Sequence, residues 1–254
     1  MAKLTAFTWG YWGWGTHTSD FVRAVDAIEH GRGRRPPIFA DIRYSRSVRA
    51  PGFRENAFEQ TVGRGRYRWI RKLGNQNIGT EKRAAKIADL SGIEDLRRLV
   101  VDAHRQKRTV ILFCACELPC ICHRSMVAKH LHESAARKRT PITIIEWPGG
   151  EPETVTLAVS SKVITSVLRG ARRIALTEFS PRIASRLVSL PWCSRVDLRS
   201  GDTSLGVVSG PAKLATSWYL PVIDPESRMA TDTARSLKAN AARLRESLGY
   251  AAIS

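Results

Sequence analysis

The chain has 254 residues, 43% of them hydrophobic, and a formal net charge of +18 from 41 Lys and Arg against 23 Asp and Glu. The hydrophobic content excludes an intrinsically disordered protein, and no apolar run approaches the roughly 18 residues of a membrane-spanning helix. The N-terminus lacks the apolar stretch of a signal peptide. We therefore expect a cytoplasmic protein with reduced thiols that binds nucleic acid, in particular DNA, rather than a membrane surface.

The first half of the chain alternates between strand-like and helix-like patterns. Apolar, β-branched runs predict strands at residues 4–9, 37–42, 109–113 and 141–146. Helical spacing follows the cap candidates Thr16–Ser19, and returns over residues 81–104, with a break near Gly92, and over residues 125–134. This alternation predicts an α/β fold with a Rossmann-like, mostly parallel sheet flanked by helices.

The second half has a different character. The segment Trp147-Pro-Gly-Gly-Glu-Pro152 is typical of a boundary. Short strand and helix patterns separated by glycine turns then predict a smaller α+β appendage, followed by a terminal amphipathic helix over residues 231–248. We therefore predict a Rossmann-like catalytic or nucleic-acid-binding domain over residues 1–148 and an accessory region over residues 149–254.

Positive charge is concentrated in one segment. Residues 32–72 hold 12 Lys and Arg against three acidic residues, a surplus of nine that is half of the net charge. Aromatic residues are interleaved there, and arginine suits phosphate contacts and stacking. The residues predicted to bind nucleic acid in this segment are Arg43, Arg46, Arg49 and Arg54.

Four of the five cysteines fall within the run Cys114-Ala-Cys-Glu-Leu-Pro-Cys-Ile-Cys122, which lies between a predicted strand and a predicted helix. Arg124 and Ser125 at the start of that helix predict a phosphate-binding turn. A zinc site formed by Cys114, Cys116, Cys120 and Cys122 is possible, but it is not favoured, because the C-x-C pairs are tighter than the usual two-residue gap. Packing of the thiols, or a nucleophilic thiol at Cys122, are the alternatives.

Four motifs in the first half resemble one known family. They are Thr8-Trp-Gly-Tyr11 with Phe21; Phe39-Ala-Asp-Ile-Arg43 with Ser45-Arg46 and Pro51-Gly-Phe53; Tyr67-Arg-Trp-Ile-Arg-Lys-Leu-Gly-Asn75; and Cys114-Ala with Pro119 and Cys122-His-Arg-Ser125. Over roughly residues 4–146 the chain resembles the bacterial and archaeal family called domain of unknown function 488. The resemblance implies a Rossmann-like α/β fold with a site formed by these loops. The chain departs from the family pattern at Trp12-Gly-Trp14, Cys116 and Cys120.

The residue types in these motifs favour a reaction that needs one carboxylate, cationic side chains that bind phosphates, and a pocket of aromatic rings that stack on a base. Hydrolysis of an N-glycosidic bond fits, with a base held between aromatic faces. We therefore predict a DNA glycosylase or a related base-processing enzyme for repair or defence. Its predicted catalytic residues are Asp41, Glu117 and His123, and its predicted base-stacking residues are Tyr11, Trp12 and Trp14. The alternatives are a non-catalytic module that binds nucleic acid or nucleotides, and a zinc- or thiol-dependent enzyme that uses the cysteines.

Overall fold

A computed structural model describes residues 4–78, 84–117, 122–171, 173–176, 181–192, 194–214 and 218–225. The chain divides between Trp147 and Pro148 into two compact units, one residue before the boundary expected from the sequence. The architecture confirms the predicted α/β class. Among the described residues, no helix combines the length and the apolar character that crossing a bilayer requires.

The first unit consists of strands and helices that alternate along the chain. Its strands are β1 (Leu4–Gly10), β2 (Ile38–Asp41), β3 (Tyr67–Trp69), β4 (Val110–Cys114) and β5 (Ile142–Glu146). Its helices are α1 (Thr18–Gly31), α2 (Ala57–Val62), α3 (Gly92–Arg105) and α4 (His123–Arg137). Single 3₁₀ turns lie at Pro51–Phe53, Arg64–Arg66 and Arg71–Leu73.

The five strands form one sheet in the order β3-β2-β4-β1-β5, and every pairing is parallel. Gly10 at the end of β1 pairs with Cys114 at the end of β4, and Asp41 at the end of β2 pairs with Phe113. The carboxyl ends of the strands therefore lie along one edge of the sheet. Ligand sites of open parallel sheets form at this edge.

Alternation of side chains along the strands gives the sheet two chemically different faces. One face carries aromatic rings: Trp9 of β1 stacks on Phe21 of α1 with ring centroids 3.6 Å apart, and Phe39 of β2 meets Phe58 of α2 at 5.2 Å. The other face is aliphatic, and Leu112 of β4 belongs to the same buried cluster as residues of α3 and α4. Both faces of the sheet are thus covered by helices, which explains why the central strand β4 is continuously apolar and buried.

The second unit is a mixed α+β structure, as predicted. Its strands are β6 (Thr154–Ala158), β7 (Arg173–Ala175), β8 (Ser194–Ser200), β9 (Thr203–Ser209), β10 (Lys213–Leu214) and β11 (Trp218–Pro225). Its helices are α5 (Ser161–Leu168) and α6 (Pro181–Val188). The sheet order is β10-β11-β9-β8-β6, with β7 also paired to β11, and only the β6–β8 pairing is parallel among the described residues.

Three sequence predictions need correction. Tyr67–Trp69 is an edge strand, although the sequence predicted a basic loop or short helix there. Residues 84–91 are not helical, and Ile87 instead forms an isolated bridge with Asn75, so α3 begins only at Gly92. The single strand predicted over residues 214–220 corresponds to the separate strands β10 and β11. The predicted helix over residues 231–248 lies outside the described residues.

Candidate functional site

A buried ion pair marks the end of β2. The carboxylate of Asp41 is 0% exposed and accepts hydrogen bonds from Arg43 Nε at 2.8 Å and from the hydroxyl of Tyr67 at 2.6 Å. Arg43 also donates to the carbonyl of Phe53 at 2.7 Å. Burial, and after it the charge of Asp41, raises the pKa of Tyr67, which therefore stays a hydrogen-bond donor.

This geometry corrects two predictions. Both oxygens of Asp41 accept hydrogen bonds in the interior, Oδ1 from Arg43 and Oδ2 from Tyr67, so Asp41 does not face a sugar or a catalytic water. Arg43 is itself buried, and its guanidinium holds Asp41 and Phe53 rather than a phosphate. The pair fixes the end of β2 to the loop that follows it and to β3.

A second buried ion pair lies at the start of α4. Arg124 is 0% exposed and bonds Glu146 at the end of β5 through Nη2 at 3.0 Å. It also donates to the carbonyls of Cys116 and Glu117 at 2.7 and 3.1 Å. Thr8 donates its hydroxyl to the same carboxylate of Glu146. Because these contacts enclose Arg124, the prediction that it binds phosphate is wrong for this structure.

Gly10 makes this arrangement possible. A Cβ built on Gly10 would lie 1.7 Å from the carbonyl oxygen of Cys116 and 2.9 Å from Arg124 Nη1. The missing side chain therefore lets the turn after β4 approach the end of β1. Within this turn Glu117 is half-buried, and its catalytic role stays a prediction. Ser125 is half-buried in the first turn of α4, where its N–H bonds the carbonyl of Cys122.

The predicted stacking residues separate into two groups. Tyr11 is buried and stacks on Phe53 with centroids 4.0 Å apart, and Trp14 is 1% exposed and packs 5.2 Å from Phe21. Neither ring offers a face to a ligand, so for these two residues the base-stacking prediction is corrected to a core role. Trp12 is 55% exposed, and its role in stacking stays a prediction.

An open groove lies beyond the ends of β2 and β3. It has a volume of about 390 Å³ and is lined by Tyr44, Ser45, Arg46, Ser47, Glu55, Trp69 and Arg71. Two arginines cover two aromatic rings there. The guanidinium of Arg46 lies 4.7 Å from the ring centroid of Trp69, and that of Arg71 lies 4.9 Å from the centroid of Tyr44. We call this set of residues the arginine–aromatic groove.

Trp69 and Tyr44 are held in place by the surrounding backbone. Trp69 is 39% exposed, and its indole N–H donates to the carbonyl of Arg43 at 2.8 Å. A Cβ on Gly74 would lie 2.3 Å from Cα of Tyr44, so only glycine lets these two segments meet. Arg46 is fixed from its other side by Glu59 at 3.1 Å.

Glu55 is the carboxylate of the groove that the sequence reasoning missed. Its side chain is exposed, and its backbone adopts a left-handed conformation with φ of 48°, which is uncommon for residues other than glycine. Its N–H bonds the carbonyl of Arg46 at 2.9 Å. Strained backbone of this kind persists where neighbouring contacts impose it, often at functional sites.

Tyr44, Trp69 and Arg71 were also missed as site residues. The signal was present, because they belong to the segment in which aromatic residues interleave with arginines. It could not be used to place them, because β3 was not predicted to be a strand. The predicted nucleic-acid-binding residues Arg49 and Arg54 are exposed on the loop after β2, where Arg54 donates to the carbonyl of Val48 at 3.0 Å.

Three cysteines meet where β4 ends and α4 begins. The Sγ atoms of Cys114, Cys116 and Cys122 all lie within 4.8 Å of one another and could hold a metal ion. His123 Nδ1 lies 3.5 Å from Cys114 Sγ and 3.9 Å from Cys122 Sγ, and its Nε2 lies 3.0 Å from the carbonyl oxygen of Ile42. Cys120 lies outside the described residues.

The three thiols have different acidities. Hydrogen bonds from Cys114 and Cys116, and a further one from His123, lower the pKa of Cys122. The hydrogen bond with Cys116 would lower the pKa of Cys114, but its bond with Cys122 and its burial together raise that pKa to about 12. These contacts favour the charged form of Cys122 and the neutral form of Cys114. Both nitrogens of His123 face protein groups, which corrects its predicted catalytic role beside a substrate.

The chain was compared with known proteins at three levels. The resemblance described above rests on four short motifs and so stays a prediction. A scan against models of protein families, a search of curated proteins and a search of solved structures each find no match for this chain.

Proposed function

We propose that the protein binds DNA through the first unit and holds an unstacked base in the arginine–aromatic groove. The observation that carries this proposal is the pair formed by Arg46 and Trp69 at the carboxyl edge of the sheet. A planar guanidinium over an indole gives a base a flat, cationic platform, and aromatic stacking accepts every base. The groove volume of about 390 Å³ is within the usual range for pockets that bind small molecules.

The surroundings of the groove support an anionic ligand. Arg49, Arg54 and Arg71 are exposed on the loops that border it, in the segment that carries half of the net charge. Exposed arginines at such positions contact phosphates without regard to sequence. The buried Arg43 and Arg124 do not contribute to this contact, because each is paired with a carboxylate.

Replacement of Trp69 tests the proposal. We expect Trp69→Ala to weaken binding of a fluorescein-labelled single-stranded DNA by about 5- to 150-fold, because one base loses its stacking partner. Trp69→Phe keeps an aromatic face but loses the indole N–H bond to Arg43, and should retain most of the affinity. Trp12→Ala removes an exposed tryptophan that does not line the groove. If Trp12→Ala weakens binding and Trp69→Ala does not, the groove is not the binding site.

We further propose base excision as the reaction of this site, because Glu55 places a carboxylate in the groove beside Arg46. In that reaction Glu55 takes a proton from a water molecule, whose oxygen bonds C1′ of the sugar as the N-glycosidic bond breaks. The base leaves with the bond's electron pair and is protonated, and an abasic site remains. A carboxylate is the minimal general base for this step.

The variant Glu55→Gln separates binding from chemistry. It keeps the shape of the side chain and removes only the carboxylate, so we expect DNA affinity to be retained while base release falls at least about 100-fold. The measurement uses duplexes with normal and modified bases, alkaline cleavage of abasic products and mass analysis of the released bases. Tight, salt-dependent binding by the wild-type protein with no abasic product would instead identify a non-catalytic module.

A further inference from the structure

The cysteine cluster lies in a different place from the arginine–aromatic groove and needs its own explanation. The sequence argued against zinc because the C-x-C pairs are tighter than the usual two-residue gap. The fold brings two pairs together: Cys114 and Cys116 come from the end of β4 and the turn after it, while Cys122 and His123 come from the start of α4. Structural zinc sites likewise combine two ligand pairs from separate stretches of chain, although the two ligands of each pair are usually farther apart in sequence.

We propose that Cys114, Cys116, Cys122 and Nδ1 of His123 bind one zinc ion. In a tetrahedral site, zinc–sulfur bonds of about 2.3 Å and zinc–nitrogen bonds of about 2.1 Å place sulfur and nitrogen roughly 3.6 Å apart. His123 Nδ1 lies 3.5 Å from Cys114 Sγ and 3.9 Å from Cys122 Sγ, but among the described residues the ligand atoms that all lie within 4.8 Å of one another are the three sulfurs alone, so Nδ1 has to move towards Cys116 on binding. The three thiols, within 4.8 Å of one another, need to approach by less than about 1 Å to reach tetrahedral sulfur–sulfur spacing.

The orientation of His123 is fixed in the way metal ligands are fixed. A carbonyl oxygen only accepts hydrogen bonds, so the 3.0 Å contact with Ile42 requires the hydrogen of the ring to lie on Nε2. In the neutral ring Nδ1 then carries no hydrogen and presents its lone pair to the metal. Histidine ligands commonly donate their second N–H to a backbone carbonyl in this manner.

The types of the four ligand atoms indicate which metal ion the site prefers. Three thiolates and an imidazole form one of the standard ligand sets of structural zinc and leave no position open for water or substrate. Cys114 and Cys122 are buried, so the ion is shielded from solvent. Zinc in this position ties the end of β4 to the start of α4 and, through His123 and Ile42, to the end of β2.

The first test is the metal content of the full chain, expressed in zinc-supplemented cells and purified without chelators. Elemental analysis should find about one zinc per chain. Cys122→Ser and Cys116→Ser should reduce zinc to background, while Cys193→Ser, which removes the cysteine of the second half of the chain, should leave it unchanged. Zinc at background in the wild-type protein, or iron with sulfide in its place, would overturn the proposal.

Two further variants identify the fourth ligand. In the presence of a competing chelator, Cys120→Ser should retain zinc and His123→Gln should lose it. The opposite pattern would identify Cys120 as the fourth ligand instead of His123 and overturn the assignment. A measurement on the wild-type protein tests the site without depending on whether the variants fold. Metal-free protein titrated with Co²⁺ should develop the absorption of tetrahedral cobalt and the charge-transfer bands of thiolate ligands, and their absence would likewise overturn the site.

Discussion

Replacing Arg124 by methionine is expected to lower the free energy of unfolding by about 3–5 kcal/mol, the usual cost of breaking a buried ion pair by removing one partner. Arg124 is 0% exposed and bonds Glu146 together with the carbonyls of Cys116 and Glu117. Methionine fills much of the same volume, so the loss comes from the carboxylate that stays buried without its cation. Urea unfolding followed by circular dichroism measures the change.

Two controls isolate the cause of that loss. Arg105→Met breaks an exposed ion pair with Asp102 and should change stability little, because exposed pairs contribute little. The double variant Arg124→Met with Glu146→Leu removes both charges and should regain part of the stability. If the free energy of unfolding of Arg124→Met lies within about 1 kcal/mol of the wild-type value, Glu146 can stay buried without Arg124.

The variant Asp41→Asn is expected to destabilise the protein by a similar amount, about 3–5 kcal/mol, because it leaves the buried guanidinium of Arg43 without a counter-charge. Tyr67→Phe removes only the hydroxyl that donates to Asp41, and should cost about 1.5–3 kcal/mol, as expected for a hydrogen bond to a charged group. Asp95→Asn, on an exposed pair with Lys72, is the matched control and should change stability little.

The same variant distinguishes a structural carboxylate from a catalytic one. At a temperature where Asp41→Asn is still folded, we expect it to bind DNA as the wild type does and to retain whatever base release the wild type shows. A catalytic carboxylate behaves in the reverse way: its amide variant keeps its stability and loses turnover. That reverse result would reinstate Asp41 as the catalytic group in place of Glu55.

The sequence was sufficient for most of the fold because the central strands are long enough to show continuous apolar runs. Val110–Cys114, in the centre of the sheet, is buried along its whole length. The edge strand Ile142–Glu146 is partly buried, but its four consecutive β-branched residues indicate a strand by composition alone. Tyr67–Trp69 has three residues, two of them exposed at the sheet edge, and so it carries no periodic signal. It pairs with β2, and the buried hydrogen bond from Tyr67 to Asp41 that accompanies this pairing is visible only in the fold.

The candidate site was predictable in position more than in detail. Strand ends identified the carboxyl edge, and the charge of residues 32–72 identified the loops that border the groove. Sequence cannot tell a fully buried arginine from a partly exposed one, and this difference separates Arg43 and Arg124 from Arg46. In the same way, the aromatic loop near Trp12 gave no indication that Tyr11 and Trp14 fill the core while Trp12 is exposed.

The position of β1 in the sheet has a consequence for how the protein is made. In the part of the chain that the structure describes, the partners of β1 are β4 and β5, and its pairing of Ala6 with Val110 joins residues that are far apart in the chain. At a synthesis rate of about 5–20 residues per second, the first strand emerges from the ribosome roughly 5–20 s before its nearest partner exists. During that interval the backbone edges of β1 are unpaired, and closing so long a loop makes the step slow. We therefore expect the sheet of the first unit to form only after β4 has been synthesised, with β1 open until then to pairing with other molecules.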